Sequence, residues 1–346
     1  MKSLFAKKQY AQLNEYLQQA KNVVIVMHTN PDGDAVGSSL ALKHVLAMMN
    51  ISATIVVAND LPDFLQWMND SDTIEVYIRR KQQARDAIKA AELIFCLDFN
   101  ALDRIDVLEN IVRETTVPRI LIDHHITSKT DKKTNDFDLK FSYYPISSTS
   151  ELVYRISVKL LGTKRLPKNI AECLFCGMLT DTGAFNHSSS YPDFFKIIAN
   201  LLDCGVEKDK ILNLIYNNFS ESRMKLLGYA LSKMVVLPEY HTAYTLLSCS
   251  ELKQFNYQMG DTENFVNYPL SIKGIVLSVF LIEKDNFIKM SLRSQGNFDV
   301  NELARKHFHG GGHLNAAGGK MYCKYENCAE EFEKIIKSYE KDLYNI

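Results

Sequence analysis

The chain has 346 residues, of which 46% are hydrophobic and 23% are charged, and its formal net charge is −1. This composition is typical of a globular protein, and the length predicts two domains because it exceeds what one hydrophobic core usually serves. The small net charge argues against long duplex nucleic acid as a partner, and the lack of a long apolar run argues against a membrane partner.

Cysteine usage and the N-terminal residues bear on the cellular compartment. The seven cysteines are irregularly spaced, and the pair Cys173 and Cys176 has no second pair at zinc-site spacing. We therefore expect buried, reduced thiols. The N-terminal residues lack the apolar core of a signal peptide, so we expect a cytoplasmic location.

Helical and strand patterns alternate through the first half of the chain. Apolar residues recur with helical spacing over 4–20, 35–49, 82–91, 101–114, 147–161 and 168–180. Short apolar runs typical of buried strands occupy 23–27, 52–58, 93–97 and 119–122, and the polar stretch 128–138 predicts a solvated loop. This alternation predicts an α/β domain with a doubly wound parallel sheet over residues 1–191.

The remainder of the chain divides into a helical part and a part with strands. Residues 192–234 have a helical pattern, which predicts a helical connector over 192–236. Strand character follows at 242–248, 272–283 and 287–293, with a turn at 284–286. We therefore expect a smaller C-terminal α+β domain with a mixed sheet over residues 237–346.

Four segments of the first domain contain side chains of the types that bind metal ions in proteins. Three of these segments directly follow a predicted strand. The residues are His28, Asp32, Asp34, Asp98, Asp123, His124, His125 and Asp181. Because parallel strands bring their carboxyl ends to one edge of a sheet, these side chains can form one cluster. A mixed Asp/His set favours Mn²⁺-like ions over Ca²⁺, and two divalent cations would balance four converging aspartates. Taken singly, each segment is also typical of a turn or a helix cap.

These segments, in this order, resemble the motifs of the DHH phosphoesterase superfamily. The motifs here are His28-Thr-Asn-Pro-Asp-Gly-Asp-Ala-Val-Gly-Ser38, Leu97-Asp98, Asp123-His124-His125 and Thr180-Asp181-Thr-Gly183. The stretch Gly310-Gly-Gly-His313-Leu-Asn-Ala-Ala-Gly318 is similar to the signature of the DHH-associated domain. Within the superfamily the chain resembles the bacterial nanoRNase/pAp phosphatase group, which is RecJ-like and exopolyphosphatase-related.

The resemblance implies a role for each residue of the cluster. His28 and Asp32 would hold one Mn²⁺, and Asp34, His124 and Asp181 a second, with Asp98 bridging the two ions. His125 would lie near the scissile phosphate, where it could act as a general acid, and Asp123 would orient an imidazole. The implied reaction is hydrolysis of a phosphoric ester assisted by two metal ions.

The resemblance also implies that the C-terminal domain holds the end of the substrate away from the metals. Arg293 and Ser294 end a predicted strand, and arginine offers bidentate contacts to phosphate. Gly310, Gly311 and Gly312 would let the backbone approach a ligand and present amide donors, with His313 directly after them. In the first domain, Asn186 and His187 stand where the group often has an arginine. A phosphate or base contact of the group is therefore either replaced by His187, a further candidate contact, or lost.

We therefore expect an enzyme that hydrolyses very short RNA to 5′-mononucleotides and/or 3′-phosphoadenosine 5′-phosphate (pAp) to AMP. The alternative is a soluble phosphodiesterase for linear or cyclic dinucleotides such as pApA and cyclic di-AMP. A nucleotide- or RNA-binding protein with a vestigial site is disfavoured because every ligand position is filled. An apolar face on helix 4–20 or 35–49 would suit a homodimer, although burial within the domain explains it equally well.

Overall fold

The computed structural model describes residues 4–125 and 136–344, and the chain forms two units. A six-stranded parallel sheet forms the centre of the first unit, Met1–Asn218. Its strands are β1 Asn22–Met27, β2 Ser52–Val57, β3 Glu75–Val76, β4 Leu93–Leu97, β5 Arg119–Asp123 and β6 Leu139–Ser142. Their spatial order is β3-β2-β1-β4-β5-β6, and all neighbouring strands are parallel. The predicted parallel sheet is confirmed, and the short edge strands β3 and β6 extend it. Residues 128–135 of the predicted loop lie outside the described residues.

Helices cover both faces of this sheet. The helices of the unit are α1 Lys7–Gln19, α2 Gly33–Met48, α3 Lys81–Lys89, α4 Glu109–Arg113, α5 Thr149–Leu161, α6 Lys168–Asp181, α7 Pro192–Asp203 and α8 Lys208–Tyr216. Alternate residues of β1 point to opposite faces of the sheet. Ile25 and Met27 belong to the core that contains α2 and α6, whereas Val24 and Val26 belong to a second core that contains α3 and α4. Burial on both faces explains why the strands are nearly continuous apolar runs.

The predicted helix over 101–114 is wrong in its first half. Residues Leu102–Leu108 form 3₁₀ turns that are interrupted at Asp106, whose φ of 49° is incompatible with a helix. Within this segment the carbonyl of Arg104 accepts a hydrogen bond from the amide of Thr29 at 2.9 Å. This bond ties the loop after β4 to the loop after β1.

Glycines let α2 and α6 approach each other closely. A Cβ on Gly37 would lie 2.4 Å from the carbonyl oxygen of Cys173, and a Cβ on Gly33 would lie 2.4 Å from Thr180 Oγ1. Neither space accommodates a side chain. The close approach places Asp34 in the first turn of α2 beside Asp181 at the end of α6.

The second unit, Phe219–Ile346, has a mixed sheet of six strands. Its elements are α9 Glu221–Ser232, β7 Val235–Leu237, β8 Thr242–Leu247, α10 Cys249–Gln254, β9 Leu277–Glu283, β10 Ile288–Ser294, α11 Val300–His307, β11 Gly311–Gly312, β12 Ala316–Met321, α12 Tyr325–Lys337 and α13 Glu340–Tyr344. The strand order is β11-β12-β10-β9-β8-β7, and only β8 and β9 are parallel neighbours. The predicted mixed sheet is confirmed.

One detail of the second half differs from the sequence pattern. The strand predicted over 272–283 begins only at Leu277, because Phe265–Ser271 forms 3₁₀ turns and Gly274 has a φ of 85°. The segment predicted as a connector contains α7 and α8 in the first unit and α9 in the second. Among the described residues, no helix has the length and apolar character needed to cross a bilayer.

Candidate active site

His28 follows β1 directly and turns its ring toward two carboxylates. Its Nε2 atom lies 3.4 Å from Oδ2 of Asp98 and 3.8 Å from Oδ2 of Asp32. On the other side of the ring, Nδ1 lies 2.9 Å from the carbonyl oxygen of Thr29. Donation from Nδ1 to this carbonyl leaves Nε2 as the nitrogen that can bind a metal.

Two helix N-termini converge on the aspartates that follow His28. Asp32 is the N-cap of α2, and its Oδ1 accepts hydrogen bonds from the amides of Asp34 and Ala35, both at 3.0 Å. Asp34 is fully buried and accepts hydrogen bonds from the first two amides of α5, those of Thr149 at 2.6 Å and Ser150 at 2.8 Å. These bonds hold both Asp34 oxygens in place.

Asp98 stands at the centre of the cluster. It follows β4, is 2% exposed and has a φ of 63°, and its amide donates to the carbonyl of Ile122 at 3.0 Å. Its Oδ2 faces His28, whereas its Oδ1 lies 3.5 Å from Nε2 of His124 and accepts a hydrogen bond from Oγ1 of Thr149 at 2.9 Å. One carboxylate thus presents an oxygen to each of two imidazoles.

His124 follows β5 and faces three carboxylates. Its Nε2 atom lies 3.4 Å from Oδ2 of Asp181, 3.5 Å from Oδ1 of Asp98 and 3.9 Å from Oδ2 of Asp34. Asp181 is the last residue of α6 and reaches the cluster because of the glycine-lined contact between α2 and α6. This second group of ligands shares only Asp98 with the group around His28.

His125 is held by Asp123, the last residue of β5. Oδ1 of the fully buried Asp123 lies 2.6 Å from Nδ1 of His125, and its Oδ2 accepts a hydrogen bond from the amide of His125 at 3.2 Å. The same nitrogen lies 3.8 Å from Oδ1 of Asp98. Asp123 therefore fixes the orientation of the His125 ring at the border of the cluster.

A buried network that the sequence analysis did not identify supports the first turn of α5. Oε1 of the fully buried Glu151 accepts two hydrogen bonds from Arg155, at 2.9 and 2.6 Å. Its Oε2 accepts hydrogen bonds from the hydroxyl of Tyr191 and from Oγ of Ser147, the latter at 2.6 Å. The network fixes the turn that leads into Thr149. The run Ser147-Ser-Thr-Ser-Glu151, which has the form of a capping box, is the signal that could have pointed to it.

The carboxylates of the cluster are not neutralised by Lys or Arg among the described residues, as is typical of a site that binds a cation. Every ion pair that its carboxylates make with described residues is with a histidine. Burial and the charges of Asp98 and Asp181 raise the pKa of Asp34 well above its usual range, and burial with neighbouring aspartates raises the pKa of Asp181 to about 6. Burial alone would lower the pKa of His124, but the surrounding aspartates outweigh it and raise that pKa to about 9.

This donor set fits divalent metal ions. His28, Asp32 and Asp98 present ligand atoms within 4.8 Å of one another, and so do Asp34, Asp98 and His124. Carboxylate oxygens and imidazole nitrogens are the ligands that first-row divalent ions accept, and two such ions would remove the repulsion that raises the pKa of Asp34. The residues present therefore suit two cations that share Asp98.

The candidate substrate residues of the second unit lie on and beside its β11–β12 hairpin. Arg293 is near the end of β10 and is paired in register with Ala316 of β12. The hydroxyl of Ser294 is engaged internally, because it donates to the carbonyl of Phe298 at 2.7 Å and accepts from the side-chain amide of Asn315 at 2.9 Å. The structure thus gives Ser294 a role in holding the hairpin.

The glycine run also has a role within the hairpin. A Cβ on Gly310 would lie 1.9 Å from the carbonyl oxygen of Gly318, and a Cβ on Gly312 would lie 2.3 Å from that of Ala316. The amide of Gly312 donates to Oδ1 of Asn301 at 2.9 Å. The amides of Gly310 and His313 also donate to backbone carbonyls. Packing within the hairpin thus uses the space beside Gly310 and Gly312 and the amide donors of both residues, and Gly311 lies between them in β11. That the glycine run contacts an anion stays a prediction.

His187 lies in the loop that follows Asp181. It is exposed, its amide donates to the carbonyl of Thr182 at 2.9 Å, and its ring carbon Cδ2 lies 3.1 Å from where a Cβ on Gly183 would be. The side chain of Asn186 donates to the carbonyl of Gly183 at 2.6 Å. Of these two residues, Asn186 thus serves the loop itself, and His187 remains a candidate contact.

Each of the two units is similar to a known protein family. The model of the DHH family N-terminal domain matches residues 22–178, and that of the DHHA1 domain matches residues 240–343. A crystal structure of an exopolyphosphatase-related protein from Bacteroides fragilis is 41% identical, covers 100% of both chains and superposes with a TM-score of 0.92. RecJ of Thermus thermophilus, solved with Mn²⁺, shares the fold at 16% identity and a TM-score of 0.58, over 97% of this chain and 54% of that one.

Two relatives have names that state an activity. "Bifunctional oligoribonuclease and PAP phosphatase NrnA" of Thermus thermophilus is 26% identical over 325 residues, 93% of this chain and 90% of that protein. The protein of the same name from Bacillus subtilis is 25% identical over 92% of this chain and 96% of its own. The fold and the site, with these relatives, define a phosphoric ester hydrolase. The chain belongs to the DHH family, with a DHHA1 domain in its second unit.

Proposed function

We propose that the chain is a Mn²⁺-dependent hydrolase that removes 5′-mononucleotides from very short RNA and/or converts pAp to AMP. The proposal rests on one observation: the two groups of histidine and aspartate ligands meet at Asp98, which presents one carboxylate oxygen to His28 and the other to His124. The names of the relatives that match nearly the whole chain support the choice of substrates.

In this proposal the residues of the first unit divide between holding cations and handling protons. His28 and Asp32 would hold one ion and Asp34, His124 and Asp181 the other, with Asp98 between them. When bound there, such ions would supply a nucleophilic water at neutral pH and would neutralise the phosphoryl oxygens. The amides and the hydroxyl at the start of α5 hold the carboxylates of Asp34 and Asp98 in the orientations that these ions would require.

His125 is the proposed general acid. Because Asp123 accepts from its Nδ1 atom, Nε2 is the nitrogen from which a proton would pass to the leaving oxygen as the P–O bond breaks. Loss of His125 should therefore slow the chemical step and leave metal binding intact.

The second unit is the proposed holder of the nucleotide end that is not cleaved. Arg293 and His313 are the candidate contacts there, and Arg293 can bind a phosphate through two parallel hydrogen bonds. A terminal holder of this kind would favour short substrates over long strands.

One series of assays with the full chain and Mn²⁺ tests the proposal. The substrates are pAp, RNA dimers to pentamers, pApA, cyclic di-AMP and pyrophosphate, with products separated by chromatography. We expect AMP and phosphate from pAp and mononucleotides from the short RNAs. Preference for pyrophosphate, or no turnover of any substrate, would contradict it, and preference for the dinucleotides pApA or cyclic di-AMP would favour the phosphodiesterase alternative.

Matched variants connect the activity to the cluster. Asp98→Ala should abolish turnover and metal binding together, because both ligand groups lose their shared carboxylate. Asp72→Ala removes an exposed aspartate of the same unit and should behave like the wild type. Wild-type activity in the Asp98 variant would refute the assignment.

A further inference from the structure

The chain leaves β6 beside the cluster, and the next two residues are exposed tyrosines. The amide of Tyr143 donates to the carbonyl of Asp123 at 3.2 Å, and Asp123 in turn is paired in register with Ser142. Tyr143 is 39% exposed and Tyr144 is 48% exposed. Two exposed aromatic residues thus directly follow Ser142, the strand partner of the residue whose carboxylate orients His125.

This exposure is unlike that of other tyrosines of the first unit. Tyr10, Tyr77 and Tyr154 are at most 8% exposed, and the hydroxyl of Tyr191 donates to a buried carboxylate. Among the described residues, neither hydroxyl of the exposed pair has a hydrogen bond and neither ring stacks on another. Their large apolar surfaces therefore contribute nothing evident to the packing of the unit.

The backbone of the tyrosine pair is nonetheless fixed at both ends. Tyr143 is bonded to β5 through the carbonyl of Asp123, as described above. Four residues later, the amide of Ser147 donates to the hydroxyl of Tyr191 at 3.0 Å, and Oγ of Ser147 donates to Glu151. Ile146 between these anchors is buried. A backbone anchored this closely limits how far the two aromatic residues can move, which lowers the entropy lost when a ligand binds.

We propose that Tyr143 and Tyr144 form a stacking platform for a nucleobase of the substrate whose phosphate lies at the cluster. This inference rests on the proposed function, since it names the base-binding part of the same site. The cluster itself consists of carboxylates and imidazoles that suit cations and a phosphate. Aromatic rings stack on any base because every base has a π-face, so the platform would bind nucleotides without sequence preference.

The test compares substrates with and without the base, using the full chain and Mn²⁺. One substrate is an RNA dinucleotide, and the others are the same dinucleotide with either nucleoside replaced by an abasic ribose. In Tyr143→Ala and Tyr144→Ala we expect KM for the dinucleotide to rise about 5- to 150-fold with kcat nearly unchanged. For the substrate that lacks the stacked base, we expect KM of these variants to equal that of the wild type.

Two kinds of control variant separate stacking from a structural role. Tyr143→Phe and Tyr144→Phe keep the ring and should retain the wild-type KM. Ile78→Ala removes an apolar side chain that is 52% exposed and follows β3 at the opposite edge of the same sheet, and it should also leave KM unchanged. Alanine variants with the wild-type KM, or with an equal loss on every abasic substrate, would overturn the proposal.

A binding measurement distinguishes this failure from failure of the proposed function. If the wild type hydrolyses neither the short RNAs nor pAp, the proposed function is wrong, and calorimetric titration of AMP into the Mn²⁺-loaded chain then tests the stacking platform by itself. We expect the alanine variants to bind AMP about 5- to 150-fold more weakly than the wild type. If the wild type and the alanine variants bind AMP with equal affinity, the stacking platform is refuted, whatever the turnover of any substrate.

Discussion

The hydroxyl of Thr149 offers the most specific test of how the cluster is held. Replacing this residue with valine keeps the shape and the backbone amide that bonds Asp34, but removes the hydrogen bond from Oγ1 to Oδ1 of Asp98 at 2.9 Å. Thr149 is fully buried and Asp98 is 2% exposed, so water does not readily replace the lost donor. Oδ1 of Asp98 then faces a methyl group.

The expected size of the effect follows from the charge of the acceptor. A hydrogen bond to a charged group contributes about 1.5–3 kcal/mol, which corresponds to roughly 10- to 100-fold in affinity. Removal of a group that orients a metal ligand typically costs about the same, 10- to 100-fold, in metal affinity. We therefore expect Thr149→Val to weaken Mn²⁺ binding by about 10- to 100-fold, with most of kcat recovered at saturating Mn²⁺.

Isothermal titration calorimetry with Mn²⁺, together with the Mn²⁺ dependence of turnover, measures the effect. Thr149→Ser keeps the hydroxyl and should bind Mn²⁺ nearly as the wild type does. Ser157→Ala removes another buried hydroxyl of α5, one that bonds the carbonyl of Val153 at 2.7 Å, and should not change metal affinity. An unchanged Mn²⁺ affinity in a folded Thr149→Val variant would refute the role given to this hydroxyl.

Three further predictions address the acid, the buried network and the protons of the cluster. His125→Ala should lower kcat by about 10²- to 10⁴-fold and keep the Mn²⁺ affinity, as single-turnover kinetics and calorimetry can show; a large loss of metal affinity would instead make His125 a ligand. Tyr191→Phe removes a donor to the buried carboxylate of Glu151 and should lower the free energy of unfolding by about 1–3 kcal/mol in urea, whereas an unchanged midpoint would contradict that role. In the metal-free protein the raised pKa values mean that the folded state keeps protons that the unfolded chain loses. The stability that these protons provide is therefore lost as pH rises from 3.8 through about 6 for Asp181 and from 6.5 through about 9 for His124. Thermal unfolding in EDTA should show Tm falling over these ranges and Mn²⁺ raising Tm more at the alkaline end; a Tm gain that is independent of pH would contradict it.

The ligand segments could be predicted because the information is local. Each of Asp98 and His124 follows a run of apolar residues long enough to be a buried strand, and parallel strands bring such ends together whatever the rest of the chain does. The two edge strands, β3 and β6, could not be predicted in this way. β3 has two residues and β6 four, too few for a periodic pattern to be evident.

The supporting contacts could not be predicted because they join residues far apart in the sequence. The amide of Thr149 meets a carboxylate 115 residues earlier, and the hydroxyl of Tyr191 meets Ser147 over 44 residues. At Gly310 and Gly312 the sequence indicates that some group approaches the backbone closely, but it does not indicate which group. In the structure it is β12 of the same unit.

The number of Mn²⁺ ions bound per chain tests the central claim most directly. Equilibrium dialysis of the full chain against Mn²⁺, followed by elemental analysis, should give two ions per chain at saturation in the wild type. Asp98→Ala should bind neither ion tightly, because its carboxylate serves both groups of ligands. One ion or none in the wild type, or two tightly bound ions in the Asp98 variant, would contradict a two-cation centre built around Asp98.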